Sequence, residues 1–259
     1  MKKKLTIVKI GGKVINEEEQ LDAFLKKFVK LEGDKLLVHG GGNIATKMQE
    51  ELGIPVTMVE GRRVTDKDAI EIVTMVFSGL NKKITAKLQS LDLQSVGLSG
   101  ADFGHIVSKR RNPTPVDYGY VGDIQNVDIS LLKVLFDREI CPVLCALTHD
   151  GKGQLLNTNA DTIASEVAKA MSEAYEVDLV YCFEQPGVLS DFENKVVISE
   201  IDKATYQDLK TDGTINAGMI PKLDNAFTAI DAGVGAVKIC HFDEVDTLQS
   251  ENYSGTTIC

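Results

Sequence analysis

Apolar runs of strand length alternate with segments of helical period along the whole chain, and no other feature constrains its fold as much. Residues 5–10 read as a buried strand. Leu21, Phe24, Leu25, Phe28 and Val29 then recur on one helix face, with Asn16 as the expected N-cap. Residues 35–39 form the next expected strand and 43–52 the next helix, stopped by Gly53. Thr65 is the expected N-cap of a long helix with Ile70, Val73, Val76, Phe77, Leu80 and Ile84 on its apolar face. Further strands are expected at 95–98, 105–108, 142–147, 178–183 and 236–240, and helices at 130–138, 160–171 and 219–232. Strands separated by helices can pair in parallel only if the helices cover the faces of the sheet. The expectation is therefore α/β: a three-layer αβα sandwich with a central, mainly parallel sheet. Ligands in such sheets bind beyond the carboxyl ends of the strands, so the loops there are where chemistry is sought.

The chain has 259 residues, enough for one such domain or for two lobes. With 28 basic and 38 acidic side chains the net charge is −10, which disfavours nucleic acid as a partner because phosphate backbones need a basic face. Five cysteines is an odd count, and most sit in apolar runs such as Ile140-Cys141-Pro142-Val143-Leu144-Cys145, so core thiols in a reducing compartment are expected. No pair of histidines has metal-ligand spacing, and no side-chain metal site is expected. No apolar stretch approaches the roughly 18 residues of a membrane span. The lysines at 2–4 run into an apolar stretch too short for a signal peptide. A cytoplasmic protein without membrane contact is the expectation.

Three glycine-rich turns follow expected strands: Lys9-Ile10-Gly11-Gly12-Lys13, His39-Gly40-Gly41-Gly42-Asn43 and Gln185-Pro186-Gly187-Val188-Leu189. Glycine lets backbone approach a ligand, and unpaired N–H groups at a loop or helix start hold anions. One such turn says little, but three at one sheet edge point to phosphate or carboxylate. Neither G-x-x-x-x-G-K-[ST] nor G-x-G-x-x-G occurs, so P-loop NTPases and Rossmann dehydrogenases are excluded by motif. Lys9 interrupts an apolar strand, and Lys222 lies at a helix start, where the dipole disfavours a cation. Either could simply be solvated, or could neutralise phosphate. In Asn157-Thr158-Asn159-Ala160-Asp161, capping accounts for one polar residue but hardly for three.

Lys9-x-Gly11-Gly12, His39-Gly40-Gly41-Gly42, Gly61-Arg62-Arg63-Val64-Thr65, Asn157-x-Asn159-Ala160-Asp161 and Gly218-Met219-Ile220-x-Lys222 occur in this order. Together they resemble the N-acetylglutamate kinases of arginine biosynthesis, within the amino-acid kinase family, and the resemblance runs from residue 5 to the C-terminus. It implies a single kinase domain over residues 1–259, with lobe 1–173 binding acylglutamate and lobe 174–259 binding ATP. Lys9 and Lys222 would stabilise the transferring phosphoryl group, and Asp161 would orient both lysines. Gly41 and Gly42 would offer N–H groups to the substrate, Arg63 would clamp a substrate carboxylate, and Asn157 would bind near the α-carboxylate or amide. Gly12 would face the phosphates. Glu184, Gly187, Leu189, Thr214 and Asn216 would line the nucleotide pocket, with Mg²⁺ carried in by ATP. The chemistry agrees, because a carboxylate nucleophile is already ionised at pH 7 and needs no general base. The difficulty lies in bringing two anions together.

The sequence also departs from the resembled pattern. Phe183-Glu184-Gln185 stands where a Ser/Thr-Asp pair is usual, and Arg62 precedes the expected arginine. The basic run Lys109-Arg110-Arg111 is either a solvated turn or a lid whose cations favour an acyl group ending in a second carboxylate, such as succinyl. Carbamate, glutamate and aspartate kinases, or a silent amino-acid or nucleotide sensor, are the alternative readings. The chain stops soon after Gly255-Thr256-Thr257, which leaves no room for the regulatory domain of aspartokinases. Only residues 1–4 precede the first strand, too few for the interlacing helix of arginine-inhibited hexamers, so an arginine-insensitive homodimer is expected.

Overall fold

The structure is a computed structural model describing residues 2–215 and 219–259. The chain forms two compact units, one of Met1–Leu36 with Ala164–Cys259 and the other of Leu37–Ile163. These are not the sequential halves 1–173 and 174–259, because the opening strand belongs with the C-terminal part of the chain.

In the first unit the strands Glu200–Ile201, Thr256–Ile258, Ala236–His241, Tyr175–Phe183 and Lys3–Ile10 lie side by side in that order. Lys3–Ile10, Tyr175–Phe183 and Ala236–His241 run parallel, and Thr256–Ile258 runs antiparallel to the last of them. Leu5, Ile7, Val8 and Ile10 are all sealed from solvent, which is why the strand reads as an unbroken apolar run: both of its faces are covered. The Glu18–Phe28 helix has Glu18 and Glu19 in its first turn and Lys26 and Lys27 in its last, matching its dipole. Its Phe24 and Phe28 rings stack at 5.9 Å, each buried and each contributing about 2–3 kcal/mol of transfer free energy. The Lys35 ammonium follows, donating to the carbonyls of Val29 and Leu31 and closing off the turn after the helix.

The second unit holds three parallel strands, with Cys141–Cys145 between Ser95–Leu98 and residues 37–39, the end of the Asp34–His39 strand. A smaller sheet runs in the order Leu155–Asn157, Leu147–His149, Ile106–Arg110 and Gly122–Val127. The long helix is Lys67–Gln89, and its cap is Asp66, whose Oδ1 accepts from the Ala69 N–H at 2.8 Å. Thr65 is displaced from that role. It is fully buried in extended backbone, where a β-branched residue fits better than at a cap. Asn16 likewise does not cap the Glu18–Phe28 helix. It ends a short helix, Gly12–Asn16, that buries Val14 and Ile15.

The α/β class and the mainly parallel strands are as expected, with helices interleaved between strands. Cys141, Cys145, Cys182 and Cys240 are buried thiols outside any disulfide, and Cys259 is exposed. Among the described residues no helix is long and apolar enough to cross a membrane.

Candidate active site

The second glycine turn leads from the Asp34–His39 strand into the Gly42–Glu51 helix. A Cβ on Gly41 would lie 2.9 Å from a Phe77 ring carbon, so that position admits no side chain, while around Gly42 there is open space. The helix has no side-chain cap and no acid in its first turn. Its first N–H groups and its positive dipole end therefore lack a built-in anion. Beneath the turn, His39 Nδ1–H donates to the Gly40 carbonyl at 2.7 Å, which leaves Nε2 to accept from Asn81 at 3.1 Å. The Asn81 amide also donates to the Val143 carbonyl at 2.9 Å. Burial holds the imidazole neutral, with its pKa lowered to about 4. A Cβ on Gly97 would fall 2.1 Å from the Asn81 amide oxygen, so this strand position must stay bare for the amide to sit where it does.

Arg63 enters from a hairpin of Met58–Val59 against Arg62–Arg63. Glu60 and Gly61, between the strands, both have positive φ (49° and 73°), the twist that two-residue hairpins favour. The alternation turns Arg62 outward and Arg63 inward. The Arg63 guanidinium is buried and donates to Gln49 Oε1, to the Gly42 carbonyl at 2.8 Å and to Thr46 Oγ1 at 2.6 Å. All three acceptors are neutral, and burial pulls its pKa below the usual arginine value. Among the described residues no carboxylate lies within ion-pair distance of it.

Two residues on, Thr65 joins this wall to Asn157. Its hydroxyl donates to the Arg63 carbonyl at 3.3 Å and accepts from Asn157 Nδ2 at 3.0 Å. Asn157 ends the Leu155–Asn157 strand. Asn159 is the cap in the polar cluster, its Oδ1 accepting from Asp161 N–H at 2.7 Å and Thr162 N–H at 3.1 Å. Asp161 is half-buried in the first turn of the Ala160–Met171 helix. The second unit thus brings Gly41, Gly42, Arg63 and Asn157 onto one connected wall. Thr65, expected as a helix cap, supports that wall instead, together with Gln49, Thr46 and Asn81, which sequence did not single out. Their signal is a polar residue at apolar spacing: Gln49 follows buried Ala45 by four, and Asn81 follows buried Phe77 by four.

In the first unit, Lys9 is half-buried on the first strand, in register with Tyr181. Gly11 N–H donates to the Cys182 carbonyl at 3.1 Å, tying the turn at Gly11-Gly12 to the end of the Tyr175–Phe183 strand. Lys222 lies in the first turn of the Ile220–Asp231 helix, its ammonium 4.5 Å from the centre of the Phe183 ring. Glu184 is exposed just beyond, and Leu189 opens a short strand, Leu189–Asp191. Gly187 proves to be a packing glycine, since a Cβ there would meet Thr256 Oγ1 at 2.7 Å and Val197 Cγ1 at 2.8 Å. Thr214 N–H donates to Asp212 Oδ1 at 2.8 Å. Asn216 and Gly218 lie outside the described residues.

The basic segment after Ile106 is held by its own hairpin. Arg110 pairs with Asp117 at 3.3 Å and donates to the Gly119 carbonyl, and Arg111 pairs with Asp123 at 2.6 Å. Both guanidinium groups also lie over tyrosines, Tyr120 and Tyr118 respectively. Gly119 in turn abuts the Arg63 wall: a Cβ there would fall 2.2 Å from the Thr65 carbonyl oxygen.

Comparison with known proteins bears on the family and the fold. The amino acid kinase family matches residues 4–241. The acetylglutamate kinase of Cytophaga hutchinsonii is 52% identical over 252 residues, covering 96% of each chain, and that of Bacteroides fragilis is 51% identical over 241 residues, covering 92% of each. Among solved structures, smu.665 from Streptococcus mutans has a TM-score of 0.74 at 28% identity, with 98% of both chains covered. The N-acetylglutamate synthase of Neisseria gonorrhoeae has a TM-score of 0.83 at 19% identity, covering 98% of this chain and 59% of that one, and shows likeness of fold alone. The chain belongs to the amino acid kinase family.

Proposed function

We propose that this protein transfers the γ-phosphoryl group of ATP to the side-chain carboxylate of an N-acylglutamate, N-acetylglutamate by default, in arginine biosynthesis. The observation that carries this reading is Arg63: a buried guanidinium balanced only by neutral oxygens, beside an uncapped helix start. Burying a cation is costly unless something anionic arrives to share the site, and a planar fork suits a carboxylate. Relatives at about half identity named acetylglutamate kinase support the same substrate.

In this mechanism the second unit holds the acylglutamate: Arg63 on a carboxylate, Gly41 and Gly42 through backbone N–H groups, Asn157 near the amide. The first unit holds ATP through Gly12, Glu184, Leu189, Thr214 and Asn216, with Gly187 packing the Glu184–Leu189 loop against Thr256 and Val197. Two lysines and glycine-turn N–H groups suit a polyphosphate rather than a bare ion, so Mg²⁺ is assigned to the nucleotide, where it offsets phosphate charge. Lys9 and Lys222 stabilise the charge that spreads over the phosphoryl oxygens in transfer, and Asp161 orients them. No residue needs to remove a proton, because the attacking carboxylate is already ionised. The working form is assigned as a cytoplasmic homodimer.

An ADP-release assay across N-acetylglutamate, N-succinylglutamate, glutamate, aspartate, carbamate and uridylate tests the reading. Turnover should require an N-acylglutamate. Faster turnover on any of the last four would overturn it. Lys9→Ala and Lys222→Ala should each slow turnover roughly 100- to 1000-fold, the loss typical of one transition-state charge contact.

A further inference from the structure

We infer that Phe183 is a positioning residue for Lys222, holding its ammonium at the phosphate turn by a contact that leaves the charge unneutralised. The inference rests on the assignment of Lys222 to phosphoryl transfer. Phe183 is the last residue of the Tyr175–Phe183 strand, and its side chain is half-buried. Its Cβ would lie 3.7 Å from a Cβ on Gly11, and the neighbouring Cys182 carbonyl accepts the Gly11 N–H. The backbone of Phe183 is therefore anchored to the glycine turn of the first strand. Its ring lies 4.5 Å from the Lys222 ammonium, within the range where the negative face of an aromatic ring attracts a cation. One side chain thus spans from the Gly11-Gly12 turn to the start of the Ile220–Asp231 helix.

The choice of an aromatic ring has a chemical consequence. Lys222 is exposed on a flexible four-carbon stem, and without a partner its ammonium would sample many rotamers. Asp161 is assigned to orient both lysines by its charge, and a second carboxylate held against Lys222 would cancel more of that charge and compete with phosphate. A ring face restrains the ammonium while leaving its N–H donors free to turn to an arriving phosphoryl oxygen. Glu184, the next residue, carries a formal charge but is exposed.

The test is steady-state kinetics on the full-length enzyme with ATP and N-acetylglutamate. Phe183→Leu keeps an apolar side chain and removes the π face, and Phe183→Tyr keeps both. Phe183→Met replaces the leucine variant if that one does not fold. The leucine or methionine variant should lower kcat roughly 2- to 5-fold, with KM for N-acetylglutamate unchanged, and the tyrosine variant should match wild type. In a Lys222→Ala background, removing the ring should cost nothing further. Equal losses in the leucine and tyrosine variants, or a loss that persists without Lys222, would overturn the inference and leave the Lys222 assignment standing. Wild-type turnover in Lys222→Ala would remove that assignment and the inference with it.

Discussion

Arg63 and the pair Arg110 and Arg111 belong to the same unit and carry the same group, yet they stand in opposite electrostatic conditions. Arg110 and Arg111 are met by Asp117 and Asp123 on their own hairpin and by tyrosine faces. Arg63 is buried more deeply and is met only by an amide, a hydroxyl and a carbonyl. A guanidinium neutralised within its own element can organise a hairpin, but it has little field left to offer a ligand. One solvated only by neutral acceptors is rigid and still charged, the condition for binding an anion. What marks Arg63 as the candidate for anion binding is therefore the sign of its neighbours together with its burial.

Replacing Arg63 should break this contrast most visibly. Arg63→Lys loses the fork that reaches Gln49, Thr46 and the Gly42 carbonyl together. It should raise KM for N-acetylglutamate roughly 10- to 100-fold and KM for ATP less than about twofold. Equal rises for both substrates would remove Arg63 from the acylglutamate side.

The support beneath the glycine turn should show itself in pH dependence. His39 is neutral in the fold with a pKa of about 4, against an ordinary 6.5. The unfolded chain therefore takes up this proton first as pH falls, and stability is lost progressively from about 6.5 down toward 4. The loss between pH 7.5 and 5 should be about 2 kcal/mol from this residue alone. It is read as the extra slope of wild type over His39→Gln in urea denaturation at several pH values. Parallel profiles would mean that His39 is not held neutral. Gly97→Ala acts on the same network by pushing on the Asn81 amide, and should lower stability by about 1–2 kcal/mol. An alanine variant as stable as wild type would show that Asn81 can move without cost.

The smallest effect sharpens the comparison from the other side. Arg111→Gln removes a half-exposed ion pair, so stability should fall by no more than about 1 kcal/mol and KM for N-acetylglutamate should change less than about twofold. A rise matching that of the Arg63 variant would erase the distinction between the two arginine regions.

Sequence alone reached the parallel strands because their apolar runs are continuous, as buried strands must be. Ser95–Leu98 and Ala160–Met171 have the bounds that the pattern predicts. It did not reach Met58–Val59, Thr256–Ile258 or Lys203–Thr211, which are too short or too polar to carry a period. The motif residues were legible because glycines and lysines stand out in strand ends. Gln49, Thr46 and Asn81 were not, since nothing in a polar residue on an apolar face says what it bonds. Gly187 shows the converse. It sits in a turn that reads like an anion cradle, and the packing of Thr256 and Val197 against it is enough to require glycine.

The hairpin that delivers Arg63 carries an arginine on each face, Arg62 outward and Arg63 inward. Sliding a strand by one residue exchanges its two faces, and at most positions this would put the wrong chemistry inside. Here the exchange replaces one guanidinium with another. The doublet thus works as a spare in one direction: an insertion in the Glu60–Gly61 turn would bring Arg62 to the inward position and still leave a cation facing Gln49 and Thr46, whereas a deletion would bring Val64 there. Tolerance to that kind of error is built into two adjacent residues, and a lone arginine would not have it.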